Sequence, residues 1–130
     1  MQQPNVTYEF HHMGIPTTKV HPNERYSPKF KMYTADSEST SIRIQWHRFE
    51  EGCPLHPLIQ TKPHPAFKVN DMEKAIAGKN ILLGPYFPLE GFQVTIIEEE
   101  GVPIELIRTD LTDEQIWAQA KTGQGAAYQS

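Results

Sequence analysis

Eleven prolines in a chain of 130 residues constrain this protein more than any other feature. Proline has no N–H for a strand ladder or a helix interior, so each one marks a connection, an edge or the end of an element. They gather in residues 15–30, 53–65 and 84–88, and those stretches read as loops or edges.

Between the prolines, the alternation of apolar and polar residues has the two-residue period of strands. Residues 6–15 predict a first strand ending at Pro16, with Tyr8, Phe10 and His12 on one face and Glu9, His11 and Met13 on the other. This places His11 away from His12, in a structural role. Residues 16–28 show no helical periodicity and read as a long irregular connection. A strand over 29–34, a polar turn over 36–39 and a strand over 41–50 form a hairpin. Ile42, Ile44 and Trp46 share one face of it, opposite Arg43, Gln45 and His47.

Residues 63–69 predict a strand with Pro65, Phe67 and Val69 opposite His64, Ala66 and Lys68. A short helix through Ala77 follows, capped by Asn70 or Asp71. Glu73 lies in its first turn, Met72, Ala75 and Ile76 form its buried stripe, and Gly78 provides its exit. Strands over 80–83, 92–98 and 103–109 are separated by turn signals at Gly91 and Gly101. Glutamates 98–100 form a solvated hairpin turn. A last helix over 112–122 has Thr112 and Gln115 in capping-box spacing and Ile116 and Trp117 as apolar anchors, before a tail over 123–130.

The expected architecture is α+β: one domain, with residues 63–109 as a βαβββ unit and 6–62 as a first half whose helix is replaced by the proline-rich loop. Hydrophobic residues at 38% and charged residues at 22% support a folded globule. A net charge of −4 opposes polyanions, so nucleic acid is not expected as a partner. No apolar run approaches the roughly 20 residues of a membrane span, and the first residues do not resemble a leader. With Cys53 as the one cysteine, neither an internal disulfide nor a cysteine-based zinc cluster can form. A cytoplasmic protein is the expectation.

Three motifs then stand in order: His12-Met13-Gly14-Ile15, His64-Pro65-Ala66-Phe67-Lys68-Val69 ahead of a short helix, and Gly101-Val102-Pro103-Ile104-Glu105-Leu106-Ile107. Together, over residues 8–108, they resemble the vicinal oxygen chelate superfamily, which includes glyoxalase I, methylmalonyl-CoA epimerase, extradiol dioxygenases and bleomycin resistance proteins. The resemblance implies paired βαβββ modules curled around a cleft. It also implies a divalent metal held by His12, Gln45, His64 and Glu105, a set similar to that of the epimerases. Strand parity agrees, since Gln45, His64 and Glu105 each lie opposite the apolar residues of their strands. A two-residue change of register would bring His47 or Arg43 to the second position instead of Gln45.

Two imidazoles, a neutral amide and one carboxylate would leave a divalent site with a net positive charge, able to stabilise an enolate formed next to a carbonyl. The donors suit zinc, nickel, cobalt, manganese or iron alike. The implied activity is that of a glyoxalase- or epimerase-type lyase or isomerase acting on a small carbonyl or acid substrate. Glu105 and His47 are the acid–base candidates, and Arg43, Tyr33 and His56 are candidates for binding an anionic group. His12, His64 and Glu105 alone would also suit an Fe(II) extradiol-type dioxygenase, and a metal-free small-molecule binding module is the non-catalytic alternative. Because the first half lacks a helix over its sheet, a homodimer is expected to cover the exposed apolar face.

Overall fold

The computed structural model describes residues 5–37 and 41–116. Eight strands form one mixed, curled sheet: β1 (Tyr8–Pro16), β2 (Arg25–Ser27), β3 (Met32–Asp36), β4 (Ile44–Phe49), β5 (His64–Val69), β6 (Asn80–Leu89), β7 (Phe92–Glu99) and β8 (Val102–Thr109). Two short helices accompany them, α1 (Pro57–Thr61) and α2 (Met72–Ile76). The spatial order is β2-β3-β4-β1-β5-β8-β7-β6. Each half repeats one pattern: its first strand runs parallel to its last, β1 with β4 and β5 with β8, and the halves join where β1 meets β5 antiparallel. The α+β class and the curled sheet are as expected. Among the described residues no helix is long and apolar enough to cross a membrane.

The second half follows its sequence signals closely. Asp71 caps α2 by accepting from the Lys74 amide at 3.0 Å. The helix buries Met72 and Ala75 against Val69, Ile97 and Leu106, forming one core on the convex side of the sheet. A second core lies on the concave side, where Phe92, Val94 and Ile107 meet Phe30, Leu55, Ile59 and Ile116. Complete burial of such a side chain contributes about 1.5–3 kcal/mol. β6 extends well past the expected residue 83, through Pro85 and Pro88. As an edge strand paired on one side only, with β7 and through repeated register shifts, it tolerates residues that cannot donate to a ladder.

In the first half, as expected, no helix separates β1 from β2 among the described residues, but β2 itself lies in the stretch expected to be irregular. The connection folds back over the outer face of the sheet. The His21 ring stacks on Trp46 at 5.4 Å, and Glu24 grips Arg48 through two hydrogen bonds of 2.8 Å. The loop thus lies over Trp46 and Arg48 on that face. α1 arises inside the second proline-rich stretch because Pro57 occupies its first turn, where a missing N–H costs nothing. At the C-terminus the capping box is present: Thr112 Oγ1 accepts from Gln115 N at 3.2 Å, and Gln115 Oε1 accepts from Thr112 N at 2.9 Å. A helical turn follows over 113–116 with Ile116 buried. Trp117, the rest of the expected helix and the tail lie outside the described residues, as does the middle of the 36–39 turn.

Candidate functional site

The two ends of the sheet approach each other where the Phe30 and Tyr86 rings meet edge to face at 5.6 Å. Between them and the sheet lies a cavity of about 110 Å³. Phe30, Tyr86, Leu89, Phe92 and Val94 give it apolar walls, while His11, His12, Gln45, His47 and Glu105 form a polar end.

Strand register places that polar end. In β1, Phe10 pairs with Phe67 but His12 pairs with Ala66, so His11 is an extra residue in a bulge. The bulge breaks the alternation of faces. His11 and His12 are both buried and both line the cavity, whereas alternation alone places His11 on the far side. Gly14 faces His64 directly across the β1–β5 pair. A Cβ on Gly14 would come within 2.2 Å of the His64 ring, so the space this imidazole occupies depends on a glycine there. Ala66 pairs with Glu105, bringing the last strand's carboxylate to the same level.

His64 Nε2 stands 3.2 Å from Glu105 Oε1, and His12 Nε2 stands 3.8 Å from Glu105 Oε2. The structure thus brings together three of the four residues of the implied metal set, from three different strands. Gln45 lines the same cavity, but its amide Nε2 donates to Asp36 Oδ1 at 3.3 Å. Two residues along β4, the His47 ring lies parallel to that of His64 at 5.8 Å and is anchored by a 3.0 Å hydrogen bond between its Nδ1 and Thr34 Oγ1. Among the described residues no group of three or more His, Cys, Asp or Glu side chains is arranged so as to hold a metal ion. What stands there is a carboxylate held between two imidazoles.

Two of the candidates for anion binding, Tyr33 and His56, lie elsewhere. Tyr33 is on the outer face, with the Arg48 guanidinium 4.0 Å over its ring. His56 is exposed and caps α1, its Nδ1 accepting from Leu58 N at 3.1 Å. Arg43 precedes β4, its carbonyl accepts from Met13 N at 3.0 Å, and its charge is near enough to the site to act on His12 and Asp113. Two polar residues that sequence reasoning missed belong to the surroundings of the site. Thr34 anchors His47, and Asp113 accepts from His11 Nε2 at 3.1 Å.

Burial determines the charge pattern. It disfavours the imidazolium of His12 more than Glu105 attracts it, lowering the pKa to about 4. Burial, reinforced by repulsion from His64, pushes His47 down to about 3. Burial also lowers His11, against the opposing pull of Asp113. For Glu105 burial alone would raise the pKa, but attraction by His12 and the hydrogen bond from His64 outweigh it and leave it at about 2. At neutral pH the polar end therefore holds one ionised carboxylate among the neutral imidazoles of His11, His12 and His47. Because that carboxylate can only accept, His64 Nε2 donates to it.

Two modules thus lie in one curled sheet, with His12 and His64 from the first strand of each and Glu105 from the last strand of the second brought together. Among solved structures the chain is similar to methylmalonyl-CoA epimerase from Mycobacterium tuberculosis, with a TM-score of 0.55 and 16% identity over 85% of this chain and 91% of that one. It is similar also to the hypothetical protein BH1468 from Bacillus halodurans C-125, with a TM-score of 0.58 and 18% identity over 83% of this chain and 97% of that one. At these identities the likeness is one of fold. No protein-family model matches the sequence, and no curated protein matches it.

Proposed function

We propose that this protein is a metal-dependent lyase or isomerase of the glyoxalase and epimerase type, acting on a small carbonyl or acid substrate through an enolate-like intermediate. The observation that carries the reading is the convergence of His12 and His64 on Glu105 in a buried cavity. The donor chemistry fits a divalent cation: imidazole nitrogens and one carboxylate, with donor separations of 3.2 and 3.8 Å. A cation held by His12, His64 and Glu105 would supply Lewis acidity to a substrate carbonyl.

The chain's own residues supply the rest. The apolar walls exclude water and accept a short hydrocarbon portion, so the favoured substrate is small, with its oxygen atoms at one end. Glu105 is ionised at the cavity wall, and His47 is neutral and anchored by Thr34. These two groups are placed to hold a proton removed from the carbon beside the carbonyl.

The test is elemental analysis of protein purified without chelator and then loaded in turn with zinc, nickel, cobalt, manganese and iron. It is paired with deuterium exchange at the α-carbon of small 2-oxo acids and acyl thioesters. One metal per chain is expected, lost in both His64→Ala and Glu105→Ala. Stoichiometric metal in both variants rejects the site, and no metal under any loading favours the non-catalytic binding module. The engagement of Gln45 by Asp36 favours a second reading, in which two histidines and one carboxylate hold Fe(II) for extradiol-type oxygenation. Oxygen uptake with a catechol by the iron-loaded protein separates the two.

A further inference from the structure

His11 belongs neither to the implied ligand set nor to the apolar wall, yet it is buried beside His12, their Nδ1 atoms 2.9 Å apart. Its other nitrogen, Nε2, reaches Asp113 Oδ1 at 3.1 Å. Asp113 comes from the segment after β8, outside both strand modules, on the turn secured by the Thr112–Gln115 capping pair. Lys68 Nζ, 3.5 Å from the same Asp113 oxygen, favours the ionised carboxylate.

These contacts fix proton positions in sequence. An ionised carboxylate only accepts, so His11 carries its proton on Nε2. A neutral His11 then has an unprotonated Nδ1, which makes His12 Nδ1 the donor across the 2.9 Å contact. One proton on a neutral imidazole leaves the other nitrogen as a base, so His12 turns an unprotonated Nε2 toward Glu105, at 3.8 Å.

We propose that Asp113 and His11 form a positioning pair that holds His12 in its Nδ1–H tautomer, presenting Nε2 as the donor nitrogen of the site. The purpose of the pair rests on the cation site proposed above, but its existence is testable without any metal. A histidine that ligates through one nitrogen is oriented by the partner of its other nitrogen, and loss of such a partner costs about tenfold to a hundredfold in affinity.

The experiment is long-range proton–nitrogen correlation spectroscopy of the imidazole rings in the full chain, stripped of metal by chelator at neutral pH. It is followed by zinc titration. The expected wild-type pattern for His12 is a protonated Nδ1 and an unprotonated Nε2. His11→Phe and Asp113→Ala should move His12 toward a mixture of tautomers and weaken zinc binding by about tenfold to a hundredfold, and Asp113→Glu should restore both.

A wild-type His12 protonated on Nε2 overturns the proposal, and this spectrum decides it even if a variant does not fold. An unchanged His12 tautomer in folded His11→Phe, or undiminished zinc affinity in folded Asp113→Ala, also overturns it. An Nδ1–H His12 in a wild-type protein that binds no zinc supports the pair while rejecting the cation site, so the two failures are distinguishable.

Discussion

Replacement of His47 by leucine tests the burial of uncharged imidazoles most directly. In the folded chain the His47 pKa is lowered from 6.5 to about 3, chiefly by burial and then by repulsion from His64. Between those pH values the unfolded chain takes up a proton at this position and the folded chain does not. The unfolded state therefore binds more protons, and stability falls as pH falls. From pH 7 to 4.5 the His47 contribution to this loss is about 2 to 3 kcal/mol, at about 1.4 kcal/mol per pH unit once the unfolded imidazole is titrating. His47→Leu removes that contribution. It also removes the bond to Thr34, lowering stability by about 1–2 kcal/mol at every pH, so the diagnostic quantity is the difference between the two pH values. Urea unfolding of chelator-treated protein at pH 7 and 4.5 measures it. With a slope of about 2 kcal/mol per molar urea, the wild-type midpoint should fall between the two pH values by about 1 M more than that of the variant. Equal falls in the two proteins would refute the claim that His47 is buried in its neutral form.

Gly14→Ala places a methyl group 2.2 Å from the His64 ring. It should cost about 1–3 kcal/mol, lowering Tm by about 4–12 °C in thermal unfolding, and an unchanged Tm would contradict the close approach. Thr95 is completely buried, and its hydroxyl has no hydrogen-bond partner among the described residues. Thr95→Val keeps the shape and removes the stranded hydroxyl, so it should raise stability by about 1 kcal/mol in urea unfolding; a loss would show that the hydroxyl is satisfied in solution. Phe10 is 53% exposed on the outer face beside Phe67. Sedimentation velocity should give a homodimer that Phe10→Glu converts to monomer, and a wild-type monomer at tens of micromolar would reject the dimer.

The second module was legible because its signals are local. Asp71, Met72, Ala75 and Gly78 specify a capped, one-sided helix within eight residues, and alternation orients β5, β7 and β8 without help from distant residues. His64 and Glu105 were legible for the same reason, each lying opposite the apolar residues of its own strand. The first half was less so. A three-residue β2 between prolines is too short to show a period, and the stacking of His21 on Trp46 depends on residues 25 positions apart. Proline also carried two meanings that the chain alone does not separate: in α1 it starts a helix, and in β6 it sits on an unpaired edge.

By itself, the order of residues determined most of the strands, the α+β class, and the residue types able to bind a cation or move a proton. Only the tertiary structure decided which of those side chains meet. The bulge at His11 turns two consecutive histidines into the same cavity, the register opposite Gly14 makes room for His64, and the β3–β4 pairing gives Gln45 to Asp36 and brings His47 beside His64. Alternation along a strand is a property of its own backbone. Bulges and pairing offsets are set by the neighbouring strand and the packing over it, which bring together residues up to 102 positions apart, as in His11 and Asp113.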